Sequence, residues 1–67
     1  MEKLYVRVEE DKIICVKCGK KWHKHDLRGQ CRCGLIIVKD IRDIGLYYVE
    51  KFNKRTGIWE VVDEFYL

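Results

Sequence analysis

Four cysteines are the residues whose types and spacing most clearly indicate chemistry in this chain. They form two short pairs, Cys15-x-x-Cys18 and Cys31-x-Cys33, and a glycine follows each pair. Two chelating pairs joined by a loop are how one chain surrounds a small tetrahedral ion such as Zn²⁺. The glycines allow sharp turns, so that backbone N–H groups can point at the thiolates and offset their charge. We therefore expect one zinc ion bound by Cys15, Cys18, Cys31 and Cys33.

Several alternatives to an all-cysteine zinc site stay open. His23 and His25 lie between the pairs, and either imidazole could replace Cys31 or Cys33 as a ligand. Iron could occupy the same four-thiolate site. The cysteines could also form two disulfides, or Cys15 and Cys18 a redox pair, but no strand–helix–strand unit surrounds them. An intracellular chain keeps its thiols reduced, which favours the metal.

The length of the chain also favours a metal. Sixty-seven residues make one domain, whose core alone supplies only about 3–5 kcal/mol. A structural zinc site adds roughly 10–16 kcal/mol of apparent binding energy in peptide hosts. The longest apolar run, Leu35-Ile36-Ile37-Val38, is too short to span a membrane. Met1-Glu2-Lys3 leads into an alternating segment rather than a secretory signal, so we expect a cytoplasmic protein.

The composition indicates a hot environment. The chain lacks Ala, Ser and Pro and is rich in Lys, Glu, Ile and Val. This bias is typical of hyperthermophiles.

Positive charge is concentrated around the cysteines. Between Lys12 and Gly34 there are seven Lys or Arg residues against one acid, Asp26. Zinc held by four thiolates contributes about −2, so this stretch keeps a charge near +4. We predict that it contacts nucleic acid or an acidic partner, although a solvated surface explains the charge equally well. The predicted binding residues are Lys17, Lys20, Lys21, Trp22, Lys24, Arg28 and Arg32.

Trp22 has two predicted roles. It lies in the loop between the cysteine pairs. We favour packing over the metal site, where the indole would shield the sulfurs from water. The alternative is stacking on a base or on a partner side chain.

The hydrophobic pattern outside the cysteine pairs is that of β-strands. Apolar residues alternate with polar ones over Leu4–Val8, and an extended segment delivers Cys15. Further strands are predicted at Leu35–Lys39, Leu46–Phe52 and Ile58–Tyr66. A connection fills Asp40–Gly45, and the loop Asn53–Gly57 indicates a hairpin. On one hairpin face we expect Tyr47 and Val49 to meet Trp59, Val61 and Phe65. A short helical turn at His25–Gly29 and a helix at Val61–Leu67 are the alternatives considered.

These elements predict a small all-β, zinc-stabilised fold. It is a zinc ribbon with two Cys knuckles plus a C-terminal β-hairpin, and it has little or no helix. A single domain covers residues 1–67. Residues 1–11 form an N-terminal strand and turn, residues 12–39 the zinc ribbon, and residues 40–67 the connection and hairpin.

The cysteine pairs and their surroundings resemble a known family. Ile14–Lys20, Asp26–Gly29 and Cys31–Lys39 are similar to the small zinc-ribbon subunit of archaeal and eukaryotic RNA polymerases, subunit P in archaea. The resemblance implies that the four cysteines are zinc ligands by position, and that the protein is part of, or partner to, the transcription machinery. The second cysteine pair is one residue shorter than that of the family, and the C-terminal hairpin is additional. A stand-alone zinc-ribbon regulator, encoded by a virus or plasmid, therefore fits the sequence at least as well as a polymerase subunit.

Three classes of function follow. We predict a non-enzymatic zinc-binding module in transcription or nucleic-acid binding, which contacts RNA polymerase, another transcription protein or DNA through its basic zinc loop. The alternative is a protein–protein adaptor that uses the aromatic hairpin (Tyr47, Tyr48, Trp59 and Phe65), with zinc purely structural. An enzyme is disfavoured because four thiolates leave zinc no open position for water.

Overall fold

The computed structural model describes residues 3–67, which contain six β-strands and no helix. Met1 and Glu2, at the start of the predicted domain, lie outside the described residues. The strands are β1 (Val6–Glu9), β2 (Lys12–Cys15), β3 (Lys21–His23), β4 (Leu35–Lys39), β5 (Leu46–Asn53) and β6 (Ile58–Tyr66). They form two three-stranded antiparallel sheets, β1-β2-β3 and β4-β5-β6. The prediction of a small all-β fold is therefore confirmed.

The first sheet is built from two tight connections. Glu10 takes a positive φ of 53° in the turn between β1 and β2, and the first cysteine pair lies between β2 and β3. Strand β3 was not predicted, because its three residues are too few to show a hydrophobic period. The edge strand β1 also begins at Val6, two residues later than predicted, and Leu4 before it is exposed.

The second sheet follows the sequence pattern closely. Strands β4 and β6 have the predicted bounds, β5 is one residue longer, and the loop Asn53–Gly57 closes the β5–β6 hairpin. Val61–Leu67 lies mostly in β6, so the helical alternative for this segment is wrong. The helical turn considered at His25–Gly29 is also absent. An antiparallel bridge between His23 and Asp26 occupies that part of the chain instead.

A β-bulge changes which hairpin residues share a face. Val49 pairs with Asp63 but Glu50 pairs with Val61, so Val62 is an extra residue in β6. Because successive strand residues point to opposite sides, one extra residue inverts the faces beyond it. Trp59 and Val61 therefore point away from Tyr47 and Val49, and the predicted contact with these two residues is wrong. The predicted meeting of Tyr47 with Phe65 is confirmed.

One hydrophobic core lies between the inner faces of the two sheets. Its buried members include Val6, Val8, Ile13 and Trp22 from the first sheet, and Leu35, Ile37, Tyr47, Val49 and Phe65 from the second. Tyr47 and Phe65 stack with ring centroids 5.7 Å apart. Cys15 and Cys31 belong to the same cluster, so the cysteines extend the core. Over the described part of the chain, no helix is suited to crossing a lipid bilayer.

Candidate metal centre and basic surface

The four cysteines come together from two connected turns. Cys15 ends β2, Cys18 lies in the turn that follows, and Cys31 and Cys33 precede β4. In each turn the glycine N–H donates to the carbonyl of the first cysteine, Gly19 to Cys15 at 2.9 Å and Gly34 to Cys31 at 3.0 Å. Both glycines have a positive φ near 80°, a conformation that side chains disfavour. The glycine after each pair thus closes the turn that presents two sulfurs.

The sulfur positions suit a tetrahedral cation. All four Sγ atoms lie within 4.8 Å of one another. Cys15 Sγ is 3.8 Å from Cys33 Sγ and 3.8 Å from Cys31 Sγ. A tetrahedral ion with metal–sulfur bonds of about 2.3 Å separates its ligands by about 3.8 Å, whereas a disulfide needs about 2.05 Å. The four cysteines are free thiols, and together they could bind one metal ion.

The thiols differ in how readily they ionise. Cys18 is exposed, and the backbone N–H of Lys20 is the main reason that its pKa is lowered to about 6. Burial raises the pKa of Cys31. Burial is also the main cause that raises the pKa of Cys33 to about 12, and hydrogen bonds with Cys15 and Cys18 add to it. Cys18 is therefore ionised before any cation arrives, whereas a metal must displace protons from Cys31 and Cys33.

Trp22 lies in the core to which two of the cysteines belong. Its side chain is only 1% exposed and shares the core cluster with Cys15 and Cys31. The indole Nε1–H donates to the Gly29 carbonyl at 3.0 Å, and Lys20 Nζ lies 5.6 Å from the ring centroid. This hydrogen bond fastens the loop between the cysteine pairs to β3. No face of the ring is free to stack on a base, so burial supports the packing role of Trp22.

The two histidines lie apart from the sulfurs. His23 and His25 are exposed, with ring centroids 5.3 Å apart, and the backbone N–H of His25 donates to His23 Nδ1. The group of metal-ligating side chains found among residues 3–67 contains the four cysteines and neither histidine. The structure therefore brings together the four cysteines predicted as ligands, without either histidine.

The predicted basic residues divide into two groups. Lys24 forms an ion pair with Asp11 at 3.2 Å, and Arg28 binds Asp26 through Nε and Nη2. Hydrogen bonds from Arg28 lower the pKa of Asp26, and the same contact raises the pKa of Arg28. In the described part of the chain, no acidic partner is found for the other predicted bases, which are Lys17, Lys20, Lys21 and Arg32.

The outer face of the first sheet adds bases that the sequence analysis missed. Strand register places Ile14 between Arg7 and Lys21, and Lys12 between Glu9 and His23. We call Arg7, Lys12, Lys21 and His23 the basic face. Among the described strand residues of this face the acid is Glu9, which is paired with Arg7 at 2.8 Å. Alternation along β1 and β2 would have indicated this surface, but its assembly depends on β3.

Lys51 is a second residue that the sequence analysis did not connect with the metal centre. It lies on β5, opposite Leu35, and lines a small cavity together with Lys17, Cys15 and Cys33. Two cations therefore flank the sulfurs, where their charge would stabilise an anionic metal–thiolate centre.

Comparisons with protein-family models, with curated proteins and with solved structures find no match for this chain. The resemblance to the polymerase subunit therefore stays a prediction that rests on the residues quoted for it.

Proposed function

We propose that this protein is a non-enzymatic zinc-binding module that acts in transcription or in another nucleic-acid process. Zinc is the metal that four thiolates at tetrahedral separations suit best, although iron accepts the same ligands. The four Sγ atoms lie within 4.8 Å of one another, and this supports a closed site in which all four ligands of the metal are protein sulfurs. Such a site leaves no position for a bound water, and this supports a structural role for the metal.

The basic face is the observation that carries this proposal. Lys12 and Lys21 project from adjacent strands, and neither forms an ion pair in the described part of the chain, because Glu9, opposite Lys12, is paired with Arg7. Unpaired bases on a sheet surface attract phosphates without having to give up an internal ion pair. Lys24 and Arg28 contribute less, because each is already paired with an acid.

The proposed partner is nucleic acid itself or a polymerase complex. The polymerase-subunit resemblance supports the second partner, and the basic face supports both. We place the protein in the cytoplasm, where reduced thiols are available to bind the metal.

Charge reversal tests the basic face. The zinc-loaded chain is titrated into fluorescent duplex DNA over a range of salt concentrations, and binding is followed by anisotropy. We expect log K to fall with log salt by about 0.9 per phosphate contacted. The double variant Lys12→Glu/Lys21→Glu should abolish binding. Lys54→Glu/Arg55→Glu, which makes the same charge change at the hairpin tip, should retain it.

Two results distinguish nucleic acid from a polymerase complex as the partner. Binding that is insensitive to salt, or equal losses in the two double variants, would contradict a phosphate contact at the basic face. A pull-down of the zinc-loaded chain from lysate, with and without nuclease, then tests the polymerase. Polymerase subunits that persist after nuclease indicate a transcription-complex component, whereas loss of all partners indicates direct binding to nucleic acid.

A second candidate function is a protein–protein adaptor. It is favoured by Phe52 and Trp59, which pair at the surface with exposed fractions of 38% and 40%. Of the four aromatic residues predicted for this role, Tyr47 and Phe65 are buried in the core. The adaptor surface is therefore the opposite side of the second sheet.

A further inference from the structure

The outer face of the second sheet is largely apolar. Across β4 and β5, Ile36 lies beside Glu50 and Val38 beside Tyr48, while Phe52 faces Trp59 across β5 and β6. Val61 pairs with Glu50 from the other side. We call the apolar members the aromatic face: Ile36, Val38, Tyr48, Phe52, Trp59 and Val61. Phe52, Trp59 and Val61 are exposed, and the other three are half-buried. A contiguous apolar surface that includes Trp and Tyr is typical of protein interaction sites.

Two acidic residues lie among the apolar members of this face, and the nearest cations, Lys3 and Arg42, lie at its edges, where they pair with Asp63 and Asp40. Glu50 lies at its centre and Glu64 beside Tyr48. Neither carboxylate forms an ion pair within residues 3–67. Lys51, from the same strand, points to the opposite side, where it lines the cavity at the metal centre. The aromatic face thus combines an apolar surface with two carboxylates, Glu50 and Glu64, that form no ion pair in the described part of the chain.

We propose that the aromatic face binds a protein segment that presents an apolar strip flanked by Lys or Arg. This inference rests on the adaptor function and specifies the chemistry of its partner. Glu50 and Glu64 would pair with the cations of such a segment, while Trp59 and Phe52 bury its apolar strip. The phosphates of a nucleic acid would be repelled by these carboxylates. A second copy bound through the same face would place the carboxylates of both copies against each other.

A braced loop extends the rim of this surface. Asp40 accepts hydrogen bonds from the Arg42 guanidinium and from the hydroxyl of Tyr48, a member of the aromatic face. Ile41, between the two braced residues, is 99% exposed. With its side chain almost fully in solvent, Ile41 is available to contact the same partner.

Two matched peptides test the proposal. Each has about 18 residues, enough for five helical turns, and leucines at the same positions. One carries lysine at all other positions and the second carries glutamate. The ¹⁵N-labelled, zinc-loaded full chain is titrated with each peptide by NMR. We expect the lysine peptide to shift the Trp59 indole and the amides of β4–β6, and to bind at least about tenfold tighter than the glutamate peptide.

Charge reversal on the chain gives the second arm. Glu50→Lys/Glu64→Lys should weaken binding of the lysine peptide by about tenfold or more, which is about 1.4 kcal/mol. Glu9→Lys/Glu10→Lys makes the same charge change at the β1–β2 turn and should leave this affinity unchanged. Zinc content and a dispersed spectrum establish that each variant is folded. Trp59→Ala, which keeps every charge, should also weaken binding.

Several results would overturn the proposal. They are equal binding of the two peptides, shifts confined to the basic face, self-association through the aromatic face, or shifts of the aromatic face by single-stranded RNA. DNA binding by the basic face and peptide binding by the aromatic face can be tested independently. The Glu50/Glu64 variant should not weaken DNA binding by the basic face, and Lys12→Glu/Lys21→Glu should not weaken peptide binding by the aromatic face.

Discussion

Phe52 on β5 and Trp59 on β6 lie directly opposite each other, with ring centroids 5.4 Å apart and an angle of 63° between the rings. Nearer the other end of the same hairpin, Tyr47 and Phe65 stack inside the core. The bulge at Val62 separates the two pairs and reverses the face to which β6 side chains point. One extra residue therefore gives the hairpin a buried and an exposed aromatic pair.

The two tryptophans should contribute very differently to stability. Trp22→Ala should lower the free energy of unfolding by about 3–5 kcal/mol, because it opens a cavity beside the metal centre and leaves the Gly29 carbonyl without its donor. Trp59→Ala should cost at most about 1.5 kcal/mol, the value of a surface aromatic pair. Denaturant unfolding in excess zinc, followed by circular dichroism, measures both. Equal losses would contradict the burial difference.

Removal of the metal should unfold the chain. A structural zinc site supplies roughly 10–16 kcal/mol of apparent binding energy, more than the core of so small a domain provides. Cys18→Ser and Cys31→Ser should therefore lose both zinc and the β-sheet circular dichroism signal. The matched controls His23→Ala and His25→Ala should each retain one zinc, measured by atomic emission. A histidine variant that loses the ion would show that the ligand set is mixed.

Metal binding should release protons at neutral pH. Burial raises the pKa of Cys31, and that of Cys33 to about 12, so both are protonated at pH 7 before the metal binds. Cys18, with a pKa of about 6, is already mostly ionised. We expect the affinity for zinc to fall as the pH is lowered. Calorimetry in buffers of different ionisation enthalpy counts the protons released, and a count of zero would contradict the burial argument.

The ionised form of Asp40 should stabilise the fold. Hydrogen bonds from the Arg42 side chain, followed by that from Tyr48, hold the pKa of Asp40 well below its ordinary value of 3.8. Because the folded pKa is the lower one, this stabilisation is present above the ordinary value and is lost as the pH falls through the folded pKa. Carboxyl ¹³C NMR should show the Asp40 pKa rising more in Arg42→Met than in Tyr48→Phe. The reverse order would contradict the guanidinium as the main cause.

Two glycines with the same conformation should respond differently to alanine. Gly45 and Gly57 have φ values of 80° and 75°, so alanine costs about 1–2 kcal/mol at either position. At Gly45 the new methyl would also lie 3.1 Å from the Leu67 carbonyl oxygen, whereas no atom lies within 4 Å at Gly57. Thermal unfolding should therefore show a larger loss for Gly45→Ala. Gly57→Asn, which tolerates this conformation better, should cost less than Gly57→Ala.

The spacing of residues along the chain is enough to predict the cysteine cluster and several strands. Two cysteine pairs, each followed by a glycine, indicate the candidate ligands, because a span of three or four residues suffices to present two sulfurs. Strands β4 and β6 were predicted with their observed bounds, because runs of apolar and β-branched residues end at turn residues. The hairpin loop follows from the same local signals.

The tertiary structure decided which surfaces those elements present. The register of β6 depends on a bulge, and the basic face depends on a third strand too short to show a period. Burial of Trp22, and the ion pairs that engage Lys24 and Arg28, likewise required residues from separate turns to meet. The spacing of residues in the sequence gives information only about residues that are close together along the chain. Strand pairing and burial depend on contacts between distant residues, and here those contacts separate a basic face from an aromatic one.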